Sequence, residues 1–350
     1  MTQLKHILSI IAVVALFCVC VSACGKNGGQ GGIEGGSGGG SGTVDPYEGQ
    51  GGYLFAHTGT GKNYYRLFYA LSRDGIKWTA LKRGESPMTT YYGFPYITRD
   101  ADGAFWLIGT STGSTPHFPI IWWSDDMITW KHKDLPRSIM DLPDGYENDT
   151  NSFGAMKIFF DAPSGQFIIT WHANEKGLSG DARWESMRTF YILTKDFVTF
   201  TPAEKLFDFT GTDAAMAQID ASIHFCDGKY YAVIKDERWQ ASAPSTFKTI
   251  RIARSESLTG PWTNPGGSVT PAWREAPTLV QSPGGECWYL YVEDYTVHRY
   301  ELYRSSSITN DNVWEKVTEM APPPGDNCRH GCIIHVDEAV YKKLKDTYDK

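Results

Sequence analysis

Four polar side chains stand at matching places in this sequence, each at or just before the start of a short apolar segment. They are Lys157, Asp220, Glu275 and His330. A pair of carboxylates can perform general acid and general base catalysis, and hydrolysis of a glycosidic bond requires this chemistry. The pattern therefore predicts an acid/base site, provided that the fold brings these residues together.

Five short segments would have to position these side chains. Each segment is rich in β-branched and aromatic residues, a composition typical of β-strands. The segments are residues 95–97, 158–160, 221–225, 277–280 and 332–336. If the five strands are equivalent, the residues that precede them should lie at one end of the fold.

Two further strands recur with each of these segments. The first follows a glycine turn at residues 51–52, 102–103, 164–165, 227–228 and 284–285. The second carries a Ser or Thr that precedes a closing aromatic residue, Trp78, Trp130, Phe200, Trp262 or Trp314. Because these aromatic residues recur with the repeat, we interpret them as packing residues. A repeat of about 40–50 residues with several short strands is typical of propeller blades.

The sequence therefore predicts an all-β fold, a five-bladed β-propeller with four strands in each blade around a central channel. The last apolar segment, 332–336, lies near the C-terminus, whereas its matching glycine turn lies at residues 51–52. Closure of the ring should combine both chain ends in one blade. The polar residues would then converge at one axial end of the channel.

Several short motifs in this order resemble those of glycoside hydrolase family 43, over essentially all of residues 50–340. The resemblance implies a five-bladed propeller that hydrolyses arabinose- or xylose-containing glycans, or related ones, with inversion of configuration. It also implies a complex with an oligo- or polysaccharide. The motifs are Tyr64-Tyr65-Arg66-Leu67, Ser72-Arg73-Asp74-Gly75, Ile219-Asp220-Ala221, Lys235-Asp236-Glu237, Glu275-Ala276-Pro277 and Arg329-His330-Gly331.

The resemblance implies roles for individual residues. Glu275 matches the general acid, and Asp220 matches the carboxylate that orients and tunes this acid. His330 matches an axial histidine that lies near a bound cation in some members, so a structural calcium ion is the metal implied, and no cofactor is required. We expect burial and the neighbouring carboxylate to raise the pKa of Glu275.

The sequence departs from the family at the general base. The family has an Asp-Pro at the first inner strand, and this chain has Phe94-Pro95. The next blade, where the family often has Trp-Ala-Pro followed by an acid, has residues 153–157 ending in Lys157. Phenylalanine cannot accept a proton from water, so either another carboxylate acts as the base or the site no longer hydrolyses glycans in the standard way. The candidates are Asp149, Asp213, Glu237 and Asp294.

Further residues are predicted to bind the sugar. Aromatic side chains outside the repeat can stack on sugar rings. Those considered are Tyr91, Tyr92, Trp122, Trp184, Trp239 and Trp273. The substrate-binding set predicted for the site is Lys157, His330, Phe94, Tyr92, Trp273 and Arg329.

Two functions remain open at this point. The first is a glycosidase, favoured because Asp220, Glu275 and His330 are all present. The second is a degenerate propeller that binds glycans without hydrolysing them, favoured by Phe94. A propeller that serves only as a scaffold for protein partners would not explain charges that converge at one axial end.

The N-terminal segment predicts export. Lys5 and His6 precede an apolar run at residues 7–21, and Val21-Ser22-Ala23-Cys24 resembles a bacterial lipobox. We expect residues 1–23 to be a lipoprotein signal peptide, although an ordinary secretory signal cleaved nearby is the alternative. Residues 24–46 would then be a lipidated Cys24 with a glycine-rich tether, and residues 47–350 the propeller. This predicts anchoring to a bacterial membrane, the outer one.

The net charge and the cysteine content limit the classes of partner and the cross-links that we expect. The net charge of −7 offers no basic patch for nucleic acid, and we expect a monomer. Cys226, Cys287, Cys328 and Cys332 remain after the predicted signal and lipid sites are set aside. No His or Cys pair has zinc spacing. We expect unpaired thiols, although export would permit disulfides.

Overall fold

The computed structural model describes residues 45–112, 116–149, 153–309, 313–319 and 328–349. The predicted signal peptide, Cys24 and all of the tether up to residue 44 lie outside these residues. Within the described ranges, no helix has both the length and the apolar character needed to cross a membrane.

The described residues form five antiparallel sheets, which we number as blades in chain order. Blade one contains β1 (Gly52–Thr58), β2 (Phe68–Ser72) and β3 (Thr79–Ala80), and its inner strand is β20 (Arg329–Val336). Blade two contains β4 (Ile97–Arg99), β5 (Phe105–Thr110), β6 (Pro119–Ser124) and β7 (Lys131–Asp134).

The other three blades follow the same plan with local differences. Blade three contains β8 (Tyr146–Glu147), β9 (Lys157–Asp161), β10 (Gln166–Glu175), β11 (Arg188–Thr194) and β12 (Glu204–Lys205). Blade four contains β13 (Gln218–Cys226), β14 (Lys229–Asp236) and β15 (Thr249–Ser255). Blade five contains β16 (Arg274–Gln281), β17 (Trp288–Asp294), β18 (Arg299–Ser305) and β19 (Glu315–Val317). The described ranges also contain two α-helices, α1 (Gly180–Glu185) and α2 (Glu338–Tyr348).

The inner strands of the blades form a closed ring. Strand β4 contacts β9, β9 contacts β13, β13 contacts β16, β16 contacts β20, and β20 contacts β4. Strands β1 and β20 pair antiparallel, with Phe55 opposite Ile333. The prediction of a five-bladed propeller closed by both chain ends is therefore confirmed.

The prediction of four strands in every blade is wrong for two blades. Blade three has the additional short strand β8, which pairs with β10. Blade four has three strands among the described residues. The segment after β15 still donates backbone hydrogen bonds to it from Thr263, Gly266 and Val269. Prolines at 261, 265 and 271 interrupt this segment, and because proline lacks a backbone donor, the ladder stays discontinuous.

The outer turns explain the recurring Ser or Thr and aromatic pattern. In blade one, Asp74 accepts backbone hydrogen bonds from Ile76 and Lys77 and a hydroxyl hydrogen bond from Ser72. Asp126 and Asp196 make the equivalent turns in the next two blades. These turns direct the closing aromatic residue inward, and Trp78 is 6% exposed. The packing role predicted for the repeated aromatics agrees with this burial.

Two cysteines bear on the expectation of unpaired thiols. Cys287 and Cys332 are free thiols. Cys332 is buried in blade one, where its Sγ accepts a hydrogen bond of 3.1 Å from the amide of Ile97. Burial raises the pKa of this thiol to about 12, so it remains protonated.

Candidate active site

Glu275 is the centre of a cluster of charged side chains at the axial end of the inner strands. It lies at the start of β16 and is buried. Its Oε2 is 2.8 Å from the Nζ of Lys235 on β14. Its Oε1 is 2.9 Å from Nη2 of Arg329 and 3.3 Å from Nε2 of His330, both on β20. Both carboxylate oxygens therefore face cationic donors from neighbouring blades.

The expected rise in the pKa of Glu275 is wrong. Burial does raise it, but the ammonium of Lys235 and the hydrogen bond from His330 outweigh burial and hold the pKa well below its usual value. The prediction counted burial and a second carboxylate but not the three cationic partners. Without a substrate, Glu275 is therefore a carboxylate.

Asp220 is held against the strand that carries Glu275. It lies on β13 at a bulge, with a positive φ of 55°. Bulges turn a side chain out of the regular alternation of a strand. Its Oδ2 accepts a hydrogen bond of 3.0 Å from the amide of Ala276. Burial raises the pKa of Asp220, but the positive charges of His330 and Lys157 outweigh burial and hold this pKa below its usual value.

His330 interacts with the carboxylates of both Glu275 and Asp220. Burial lowers its pKa, whereas the hydrogen bond to Glu275 and the charges of Asp220 and Glu275 raise it above the ordinary histidine value. One donor atom each from Asp220, Glu275 and His330 lies within 4.8 Å of the other two. His330 therefore carries a proton and donates it in a hydrogen bond to the Glu275 carboxylate, and we call this the shared proton of the pair.

A calcium ion does not fit these three residues well. Calcium takes six to eight oxygen ligands. Here both oxygens of Glu275 already face Lys235, Arg329 and His330, and Oδ2 of Asp220 accepts a backbone hydrogen bond. Cationic side chains at these distances would repel a divalent ion. We assign no metal to this cluster.

Lys157 also belongs to the site. It lies at the start of β9, is 3% exposed, and places its Nζ 4.6 Å from the ring centroid of Tyr96. Burial lowers its pKa, and the charges of Asp220 and Glu275 oppose this shift. The structure therefore brings together the four side chains at which the sequence pattern pointed.

Phe94, at the position where the motif resemblance predicts the general base, presents an aromatic ring to the site. The ring centroid of Phe94 lies 4.3 Å from that of His330, and Phe94 is half-buried. Tyr65 lies against both Phe94, at 5.1 Å, and Tyr92, at 4.5 Å. These rings form an aromatic wall on the blade-two side of the site.

A second aromatic wall surrounds Trp273, which is 37% exposed. Its ring centroid is 6.1 Å from those of Trp239 and Tyr295 and 5.9 Å from that of Phe247. Tyr295 also lies 4.3 Å from Nζ of Lys235, the partner of Glu275. We call these four residues the Trp273 wall. The wall adjoins the charged cluster around Glu275.

Two of the aromatic candidates are not available to a sugar. Tyr91 is fully buried, and its hydroxyl donates to the carbonyl of Ile108. Trp122 is 2% exposed and packs against Tyr91 at 5.2 Å. Their prediction as sugar platforms is wrong, because Trp122 occupies a core-facing position of β6, where side chains alternate between the two faces, and Tyr91 packs into the same core cluster. Trp184 is 38% exposed, beside Arg183.

The four carboxylates considered as replacement bases are all engaged with cations. Asp149 lies 2.9 Å from Arg183, and Asp294 lies 3.1 Å from Arg274. Asp213 lies between two arginines in blade four, Arg238 and Arg251. Glu237 is the member that adjoins the site, since its Oε2 is 2.7 Å from the same Lys235 that binds Glu275. Its Oε1 is bound by Lys248.

Two buried residues were missed by the sequence reasoning. Glu293 lies opposite Glu275 in the register of β17, accepts from the amide of His330, and binds Nε of Arg329 at 2.6 Å. Burial raises its pKa. His172 lies on β10, with Nδ1 at 4.0 Å from Oδ1 of Asp220. Both stand on second strands of their blades, where no motif marks them.

Comparison with known protein families finds one match to this chain. Residues 45–342 match the family described as a probable glycosyl hydrolase domain, related to glycoside hydrolase family 43. No curated protein matches the chain.

Several solved structures are similar to this chain at low sequence identity. GH43B of the Bacteroides ovatus xyloglucan PUL is 16% identical, with a TM-score of 0.44 over 67% of this chain. The chain spans only 42% of the length of that protein. An α-L-arabinofuranosidase from Clostridium thermocellum is 14% identical, with a TM-score of 0.48 over 76% of this chain and 85% of that one. Because the family match extends over most of the sequence, this chain belongs to the probable glycosyl hydrolase family related to glycoside hydrolase family 43.

Proposed function

We propose that this protein is a glycosidase that hydrolyses arabinose- or xylose-containing glycans, or related ones, with Glu275 as general acid and inversion of configuration. The observation that carries the proposal is the buried cluster of Asp220, Glu275 and His330 at the axial end of the propeller, with donor atoms within 4.8 Å of one another. The sugar class follows from the motif resemblance.

The shared proton of Glu275 and His330 supplies the acid. A proton at this pair can pass to the leaving-group oxygen as negative charge develops on it. Lys235 and Arg329 then stabilise the carboxylate that remains. Asp220 tunes the acid through His330, because its charge raises the pKa of that ring and keeps the proton in the site.

The aromatic walls supply the binding surface. Sugars present apolar faces that stack on flat rings, and polar hydroxyls that need hydrogen-bond partners. Phe94 and Tyr92 offer ring surface on one side, and the Trp273 wall offers it on the other. In this proposal, Lys157 and Arg329 supply the charged hydrogen-bond donors for sugar hydroxyls between the two walls.

Substitution of Glu275 tests the catalytic assignment. Glu275→Gln keeps the side-chain shape but cannot donate the proton, so we expect kcat to fall about 100-fold or more with little change in glycan affinity. Through its effect on the acid alone, Asp220→Asn should cost less, because Asp220 acts on Glu275 indirectly through His330. The measurement is hydrolysis of a panel of furanosides and pyranosides with products identified, and calorimetry for binding.

The exposed Glu286 provides the control, since Glu286→Gln makes the same chemical change on the surface. Full activity in both Glu275→Gln and Asp220→Asn would show that the acid lies elsewhere. Product analysis by NMR would report inversion or retention directly.

The second candidate function is glycan binding without hydrolysis. It is favoured by Phe94 at the base position and by the ionised state of Glu275. Saturable binding of a glycan by the unaltered protein, with no product after prolonged incubation across the panel, would establish this function in place of the first.

A further inference from the structure

Two buried polar atoms face each other across the site. Nδ1 of His172 and Oδ1 of Asp220 lie 4.0 Å apart, and neither has a hydrogen-bond partner among the described residues. Buried polar atoms are rarely left unpaired, since each costs free energy comparable to a lost hydrogen bond. The arrangement is therefore one that a shift of about 1 Å would convert into a hydrogen bond.

The backbone around His172 holds its ring in this place. The amide of His172 donates to the carbonyl of Gly154 at 3.1 Å. Gly154 has a positive φ of 37°, and a Cβ at this position would lie 2.0 Å from the carbonyl oxygen of His172. Only glycine permits this approach. The loop that departs from the family pattern at residues 153–157 therefore packs directly on His172.

We propose that His172 and Asp220 form the general base that replaces the missing carboxylate at position 94. This inference rests on the proposed hydrolase function. Nδ1–H of His172 donates to Oδ1 of Asp220, as the orienting carboxylate does in a His-Asp pair, and Nε2 is left to accept a proton. Catalytic hydrogen bonds are often long before the substrate binds and shorten in the complex.

The exposure of the ring agrees with this orientation. Nδ1 is fully buried, whereas 10% of the His172 side chain is exposed. The exposed surface therefore belongs to other atoms, and Nε2 is the remaining polar one. Asp220 can both tune the acid and orient His172, because its two oxygens have different neighbours. Oδ2 accepts from the amide of Ala276, and Oδ1 faces His172.

The charges around His172 keep it able to accept a proton. The titratable groups that act on it are Asp220 from β13, His330 from β20, Lys235 from β14 and Lys157 from β9. Burial lowers the pKa of His172 to about 4, and of these four groups only Asp220 opposes that shift. A value near 4 is close to that of an ordinary aspartate, the base found in the family. The imidazole is therefore neutral over the range in which an aspartate base would be ionised.

The reaction balances with these groups. The oxygen of water attacks the anomeric carbon, and the bond from that carbon to the glycosidic oxygen breaks. The water proton passes to Nε2 of His172, while the proton shared by Glu275 and His330 passes to the leaving oxygen. The imidazolium then releases its proton to solvent, and the Glu275–His330 pair takes one up.

The decisive variant is His172→Gln. We expect kcat to fall about 100-fold to 10,000-fold, the range for loss of a general base. The acid limb of the kcat/KM profile, which reports protonation of the base, should disappear. In His172→Ala, added formate or azide should restore part of the rate, because a small anion can occupy the vacated space. Loss of packing alone would show neither effect.

His224 offers a matched control. Burial lowers its pKa to about 4 as well, but its ring contacts Ser222 rather than a carboxylate of the site. His224→Gln should keep the rate and the acid limb of the unaltered protein. Circular dichroism and thermal unfolding of each variant separate loss of folding from loss of catalysis.

NMR of the unaltered protein gives a test that needs no folded variant. The ¹⁵N shifts of His172 at neutral pH should show Nδ1 protonated and Nε2 unprotonated. The opposite tautomer would overturn the inference. So would an unchanged rate and acid limb in His172→Gln when Glu275→Gln is inactive, and that result would leave the proposed hydrolase function intact. No turnover by the unaltered protein would overturn both.

Discussion

In the axial site, the protonation state of each charged side chain depends on the partners that it contacts. Glu275 is buried together with Lys235, Arg329 and His330, and the cations keep it ionised. Removal of one partner from a buried ion pair leaves an uncompensated charge, which typically costs 3–5 kcal/mol. Glu275→Gln also leaves these cations without their counter-charge, but it keeps the size and hydrogen-bonding groups of the side chain, so it is more informative here than truncation to alanine.

Phe94 provides a prediction at the residue scale. A carboxylate at this position would lie beside His330, whose ring centroid is 4.3 Å from that of Phe94. If His172 and Asp220 already act as the base, Phe94→Asp supplies no missing function. Its negative charge would hold the shared proton on His330, so we expect an unchanged or lower rate of hydrolysis.

Phe94→Asp should behave differently if the site has no general base. If the base is simply absent, Phe94→Asp should raise the rate by about 100-fold to 10,000-fold. Phe94→Asn controls for the loss of the aromatic ring. A gain of that size in Phe94→Asp alone would contradict the pairing of His172 with Asp220 as base.

At the scale of the elements, helix α2 secures the closure of the ring. Asp337 caps its first turn by accepting a hydrogen bond from the amide of Val340, and Leu344 is fully buried. Glu338 forms a two-pronged pair with Arg73, at 2.6 and 3.0 Å, and accepts from the amide of Gly51. One carboxylate therefore ties α2 to the turns that flank β1 and β2.

Glu338→Gln should weaken this closure. We expect the free energy of unfolding at pH 7 to fall by roughly 1 kcal/mol, since the pair is partly exposed and screened. The hydrogen bonds from Arg73 lower the pKa of Glu338 to about 2. Because this is below the value of an unfolded chain, about 4.3, the contribution is present above pH 4.3 and lost as the pH falls toward 2.

Urea unfolding of both proteins between pH 7 and pH 3 measures this effect. The difference between the two stability curves should shrink below pH 4.3. Glu48→Gln is the control, because its contact with Lys342 is 3.7 Å long and largely exposed. A constant difference at all pH values would mean that the charge of Glu338 contributes nothing.

At the scale of the whole molecule, the ring joins residues that are far apart in the chain. Lys157, Asp220, Glu275 and His330 come from four different blades and meet at one axial end. The inner strands contact one another directly, so each blade presents its first residues to the same channel. Strands β1 and β20, the first and last strands of the described residues, pair in blade one.

We propose that this propeller is exported and lipid-anchored through Cys24. The support is the segment Val21-Ser22-Ala23-Cys24, followed by a glycine-rich stretch that would serve as a tether. In the native host, Cys24→Ala should fail to incorporate labelled fatty acid and should move from the membrane to the soluble fraction. Cys287→Ala, which changes a thiol of the propeller, is the control. Membrane retention of Cys24→Ala would contradict the anchor.

The sequence by itself determined the five blades, the closure through both chain ends and the axial meeting of Lys157, Asp220, Glu275 and His330. These features follow from local patterns. Turn chemistry, strand composition and the spacing of the repeat are properties of residues close together in the chain. A residue at the start of an inner strand can be placed once the repeat is known.

Only the tertiary structure decided the ionised state of Glu275, the burial of Tyr91 and Trp122, and the contact of His172 with Asp220. Each depends on distances between side chains of different strands or blades. The strand register and the approach of Gly154 to His172 set these distances, and no pattern along the chain encodes them. Electrostatic shifts in pKa vary steeply with such distances. The charges of the site could therefore be assigned only from the folded structure.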